Sequence, residues 1–251
     1  MTIRAVIGLL FFNVSLGVVG SAILTGIRPS LARRELVRLV GLAYLLGLSA
    51  LMVVLTLCLV VGVPLTFISI LVFFVLIFVA GVTTARYRRR KMTSAPTAAE
   101  GSRRGILTLA SAVPLGALVV VLESIFRRGR LEGLLEFDGW DSWGPITKDL
   151  YFRGNLDPHF LASLPGGSYP PGLPAVLASA MHAMGSPDVV TVHLQYSFMA
   201  IGFATALLGL LSPRVRPGIF MPFVLLVFVM PDIRGRSIDM YGDLPLGYLV
   251  A

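Results

Sequence analysis

The chain has 251 residues and a formal net charge of +8. Hydrophobic residues make up 56% and charged residues 14%, against about 45–50% and about 25% in a water-soluble domain. With a mean hydropathy of +0.85, there is too little polar surface to coat a water-facing sphere, which disfavours soluble enzymes, coiled coils and disordered tails together. The composition is that of a membrane protein. Cys58, the single cysteine, lies in an apolar run and forms neither an intrachain disulfide nor a cysteine-based metal site.

A helix needs about 20 mostly apolar residues to cross the hydrocarbon. In chain order, the expected spans are Ala5 to Ile27, Leu39 to Val61, Leu65 to Ala85, Ile106 to Phe126 and Val189 to Leu211. A shorter one runs from Gly218 to Met230, and Leu244 to Ala251 is the start of a seventh. The first is too long for a signal peptide and is expected to be retained. The fold class is therefore all-α: a polytopic bundle of about six spans plus the start of a seventh, with one large extracytoplasmic loop containing short helices.

The charges sort by side. Arg28, Arg33, Arg34 and Arg38, then Arg86, Arg88 to Arg90, Lys91, Arg103 and Arg104, then Arg214 and Arg216 occupy alternate connections, against only Glu35 and Glu100. The positive-inside tendency makes these connections cytoplasmic and places 127–188 and 231–243 outside. The basic excess is thus a topology signal, and no nucleic-acid partner is expected. Three regions follow: residues 1–86 with the first three membrane helices, a basic cytoplasmic linker at 87–104, and a core at 105–251.

The segment 127–188 holds both tryptophans and most of the outer acids. Asp141 or Ser142 is expected to cap a helix with Pro145 in its first turn and Gly154 as its stop. On that helix Asp141 and Lys148 share a face. Leu164–Pro174 reads as a rigid turn leading into an amphipathic helix, Ala175–Met184, lying on the membrane surface. A second outer segment carries Arg234, Arg236, Asp239, Tyr241 and Asp243. Two segments bearing acids and arginines at one outer surface suit a lipid-linked anionic substrate: arginine and lysine hold phosphate, and a carboxylate takes a proton from an attacking hydroxyl.

Each residue also has a plainer role. Asp141 serves equally as a helix cap, and Trp140 and Trp143 as interfacial belt residues. Lys148 pairs with Asp141 or Asp149, Arg234 and Arg236 are exposed loop charges, and Asp243 caps the last helix. His159, His182 and His193 show no metal spacing and read as interfacial or packing residues. Glu123, near the outer end of its span, is either a functional carboxylate or one that reaches the headgroups.

The box Gly139-Trp140-Asp141-Ser142-Trp143 with Lys148, then Tyr169-Pro170 with Pro174, then Tyr241-Gly242-Asp243-Leu244-Pro245 resembles bacterial GT-C glycosyltransferases, the polytopic enzymes related to protein mannosyltransferases and aminoarabinose transferases. The resemblance covers roughly residues 105 to 251. It implies a sugar donor on a polyprenyl phosphate, transfer on the extracytoplasmic face of a bacterial plasma membrane, and an essential acid early in the first large outer loop. Asp141 matches that position best, with Asp138 its competitor. Trp140, Trp143, Lys148, Tyr169, Arg234, Arg236, Tyr241 and Asp243 are the implied substrate-binding residues. No cofactor is called for, and a divalent metal is not indicated.

The chain departs from the family in having about four spans before the acidic loop and in its short length, so a truncated member is expected. The rival expectations are a transporter or flippase of lipid-linked intermediates and a non-catalytic membrane fragment. Sugar, acceptor and oligomeric state are not specified by these residues.

Overall fold

Long runs of Leu, Val, Ile and Ala have no polar face to offer water, and a helix satisfies its own backbone hydrogen bonds, so such runs become helices wherever water is scarce. In a computed structural model, residues 2–91, 109–131, 139–237 and 243–250 are described, and the described residues form helices without any strand. The helices are α1 Ile3–Ile27, α2 Arg33–Arg38, α3 Val40–Val60, α4 Phe67–Lys91, α5 Leu109–Leu131, α6 Gly144–Arg153, α7 Pro158–Ala162, α8 Gly172–Met184, α9 Val189–Leu211, α10 Pro217–Val229, α11 Pro231–Arg236 and α12 Asp243–Val250. A π-helical turn, Gly139–Trp143, precedes α6.

Among the described residues, four helices are long and apolar enough to cross a membrane: α1, α3, α4 and α9. α5 has the length, but its last turns carry Glu123, Arg127, Arg128 and Arg130, and α10 has 13 residues, roughly 20 Å of helix against a hydrocarbon core of about 30 Å. Outward-facing side chains on the long helices are apolar, among them Ile7, Phe11, Val14, Val53, Leu57, Leu76 and Val79. Such a continuous belt suits lipid and not water.

α1 packs on α3 and α4, α3 on α9, and α5 on α9 and α10. At the α1–α3 crossing the backbones nearly touch. A Cβ on Gly20 would come 1.6 Å from the carbonyl oxygen of Ala43, and one on Gly47 would come 2.0 Å from that of Leu16, so only glycine permits this approach. Nearby, three polar side chains close a buried network. Asn13 Nδ2 donates to Gln195 Oε1 (2.8 Å) and to the Leu9 carbonyl (2.9 Å), Gln195 Nε2 donates to Asn13 Oδ1 and to Tyr44 Oη (3.0 Å each), and the Tyr44 hydroxyl donates to Asn13 Oδ1 (2.8 Å).

The two ends of the bundle differ. At the basic end, Arg88 Nη1 donates to the Ile27 carbonyl (3.1 Å) and Arg89 Nε to the Pro29 carbonyl (3.0 Å), while Gly209 near the end of α9 abuts the Arg38 backbone. At the other end, the Leu65 amide donates to the Gly154 carbonyl (2.7 Å), and Gly172 rests on Met52 and Thr56 of α3. The segment from the π turn to α8 therefore caps the end opposite the arginines.

Three local expectations need correction. α8 is not a surface helix: its residues 172–181 are buried, covered by α1, α3 and α6. Neither Asp141 nor Ser142 caps α6, because the π turn runs straight into it and Trp143 occupies the cap position in helical conformation with no side-chain cap bond. The expected linker at 87–104 begins inside a helix, since α4 continues through Lys91; residues 92–108 lie outside the described ones. Gly154 does end α6, at φ +74°.

Candidate functional site

The cap is built around a proline. Pro145 has no N–H for the carbonyl of Asp141 four residues earlier, so the ordinary helical bond is missing at this point. The chain takes the wider π register over Gly139–Trp143, a deviation found frequently at functional sites. From there α6 turns Ile146, Thr147 and Leu150 inward, with the Thr147 hydroxyl bonded to the Trp143 carbonyl (2.7 Å).

The Leu164–Pro174 turn closes over this segment. A Cβ on Gly166 would lie 2.5 Å from Ser142 Oγ, so the turn reaches the buried Ser142 only because it carries glycine there. That approach places Tyr169 on Trp143, stacked with ring centroids 5.0 Å apart and planes 14° apart. Trp143 is buried while Tyr169 stays exposed, which gives an aromatic shelf open to one side.

Asp141 is partly exposed, but its Oδ2 is buried without a hydrogen-bond partner among the described residues. A carboxylate oxygen in that condition is costly unless a ligand or water completes it. Lys148 lies on the exposed face of α6 and, among the described residues, forms no ion pair with Asp141 or Asp149. Asp149 instead binds Arg153 (Nε to Oδ1, 2.9 Å), and Arg153 also pairs with Asp157.

Burial pushes the Asp149 carboxyl above its ordinary value against the pull of Arg153. Asp157 is held low, first by the Phe160 amide and then by the His159 amide and Arg153, because it caps α7 with its side chain. His182 packs its ring against Tyr151, with centroids 4.7 Å apart. Burial lowers its pKa, opposed by the backbone of Leu65.

Arg234 lies on α11, past the break at Met230–Pro231. It donates from Nη2 to Ser124 Oγ of α5 (3.1 Å), and its Nε is buried without a partner among the described residues. Arg236 is exposed. No hydrogen bond or ion pair among the described residues joins Arg234 to Asp141. Glu123 pairs with Arg127 at 3.8 Å, both well exposed. Asp138, Asp239 and Tyr241, and the side chains of Trp140 and Asp243, lie outside the described residues. Among the described residues no three His, Cys, Asp or Glu side chains gather as a metal site.

Two contacts went unseen in the sequence: the stack of Tyr169 on Trp143 and Tyr151 as the ring against which His182, expected to be an interfacial or packing residue, is set. The Gly166-Gly167 pair was the available signal for the first, because adjacent glycines mark a place where backbone approaches closely. Together these observations define an α-helical membrane-type bundle whose cap presents a partly buried carboxylate and an aromatic shelf. Comparisons with protein-family models, curated proteins and solved structures find no match for this chain.

Proposed function

We propose that the chain is a membrane glycosyltransferase of the GT-C type that uses a polyprenyl-phosphate sugar. The observation that carries this is Asp141, whose buried Oδ2 has no partner among the described residues and which sits in the π turn that also bears Trp143. The full architecture adds α5 and α10 as two further spans and α12 as the start of a seventh, with the cap on the extracytoplasmic side of a bacterial plasma membrane.

In the proposed step, Asp141 accepts the proton of an acceptor hydroxyl. The hydroxyl oxygen bonds to the anomeric carbon as the bond from that carbon to the phosphate oxygen breaks, inverting the centre and leaving the electron pair on the polyprenyl phosphate. The phosphate gains charge in the transition state, where arginine and lysine stabilise it best. Arg234, whose Nε has no partner among the described residues, suits that role, followed by Arg236 and Lys148. The Trp143–Tyr169 shelf is a stacking surface for a sugar ring.

The test is sugar transfer from a polyprenyl-phosphate donor by membranes containing the protein. Asp141→Asn is expected to lower transfer about 10²–10⁴-fold, the usual share of a general base, with membrane insertion unchanged. Full activity in that variant rejects the assignment.

One observation favours the transport alternative: the Asn13–Tyr44–Gln195 network lies inside the spans, where transporters place polar groups. Its side chains satisfy one another, however, which suits a helix clamp better than a substrate site.

A further inference from the structure

A cavity of about 710 Å³ opens between α1, α2, α3, α4 and α9, lined among others by Gly17, Leu36, Phe78, Val82 and Gly202. Its walls are almost entirely apolar. The hydroxyls that face it are already used: Ser21 donates to the Gly17 carbonyl (2.7 Å), Thr25 to that of Ser21 (2.9 Å) and Thr205 to that of Ile201 (2.7 Å). The Tyr44 hydroxyl is bound to Asn13. Gly17 leaves real space, since a Cβ there would meet nothing within 4 Å. A cavity of this chemistry stays dry, so hydrocarbon is its natural filling.

The basic end supplies the second observation. Arg33 precedes the lining residue Leu36 by one helical turn and Arg86 follows Val82 by one, while Arg28 is the C-cap of α1, just past the lining residue Thr25. Residues three or four apart on one helix share a face, so Arg33 and Arg86 extend the cavity walls toward the basic end, where Arg28 closes α1. All three are exposed, and none has a carboxylate partner among the described residues. Glu35, the one described acid at this end, is engaged by Arg38 and by the Ala32 amide. Basic pockets between membrane helices bind anionic headgroups in this way.

We infer that this cavity is a binding site for an anionic phospholipid of the leaflet beside the basic end. An acyl chain lies along Gly17, Phe78 and Val82, and the phosphate is held by Arg28, Arg33 and Arg86. The site is independent of the Asp141 cap and stands whatever that cap does.

The test uses the full chain in nanodiscs of phosphatidylglycerol or of phosphatidylcholine with matched acyl chains, read by melting temperature. Native mass spectrometry after transfer to neutral detergent counts retained phosphatidylglycerol. The wild type is expected to melt higher in phosphatidylglycerol and to keep bound lipid. Two variants are expected to lose most of that excess while melting normally in phosphatidylcholine: Gly17→Leu, which fills the cavity, and Arg33→Gln/Arg86→Gln, which removes charge at its mouth.

Equal melting of the wild type in the two lipids overturns the site. So does an unchanged excess in both variants. Spontaneous cross-linking of two Val18→Cys copies at the rim also overturns it, by showing that a second copy fills the cavity. If a variant fails to fold, the comparison of the two lipids on the wild type still decides.

Discussion

Asn13 of α1 and Gln195 of α9 exchange two side-chain hydrogen bonds, at 2.8 and 3.0 Å, across 182 positions of sequence. Tyr44 of α3 bonds to both, so three helices meet at one polar point among apolar side chains. Removing one partner strands the others in a place without water. Asn13→Leu and Gln195→Leu are each expected to cost about 1–3 kcal/mol. The double variant should cost clearly less than the sum, with a coupling of about 0.5–2 kcal/mol. A double-mutant cycle by reversible unfolding in mixed micelles measures it, and strict additivity contradicts the network.

Gly166 sits where a side chain would strike Ser142. Gly166→Ala is expected to push the turn off the π-helical segment, at about 1–3 kcal/mol for an overpacked contact. Tyr169 should then separate from Trp143, which near-ultraviolet circular dichroism detects. An unchanged aromatic signal together with unchanged stability counts against the close approach.

His182 sets a pH dependence in the cap. Its pKa is lowered from 6.5 in the folded chain, so the folded state favours the neutral ring. The unfolded chain takes up its proton first as pH falls below 6.5. Stability from this group is therefore complete above pH 6.5 and is lost as pH falls from there through the lower folded value. His182→Leu should remove that part of the acid sensitivity, and melting temperatures from pH 7.5 to 5 in both proteins test the difference.

How much of this was legible in the sequence depends on the range of the interaction. α1, α3, α9 and α10 start and stop within about two residues of the expected spans, because apolar run length and flanking charge are local properties. That the described basic connections gather at one end of the bundle was legible for the same reason. α8 was read as a surface helix because its segment is amphipathic and short enough to lie on the membrane surface. What buries it is the cover from α1, α3 and α6 together, which no local pattern announces.

At the candidate site, Asp141 stood out by residue type and position. The π register that holds it did not, because nothing in the residues Gly139–Trp143 marks them off from an ordinary first turn of helix. The pairing of Asp149 with Arg153, and not with Lys148, also followed from which face of α6 turned inward. Asn13 and Gln195 were unremarkable singly, and only the fold joins them.

The bond from the Leu65 amide to the Gly154 carbonyl also has a meaning in time. Chains are made from the N-terminus, and early segments fold while later ones are still absent. The turn between α3 and α4 therefore emerges with a backbone donor that has no protein acceptor until the end of α6 has been synthesised. Water serves that amide in the interval, which keeps the turn at the aqueous boundary and leaves a vacant berth for the cap. The four-residue connection between Gly62 and Leu65 thus acts as a docking cleat, laid down early and used when the cap arrives.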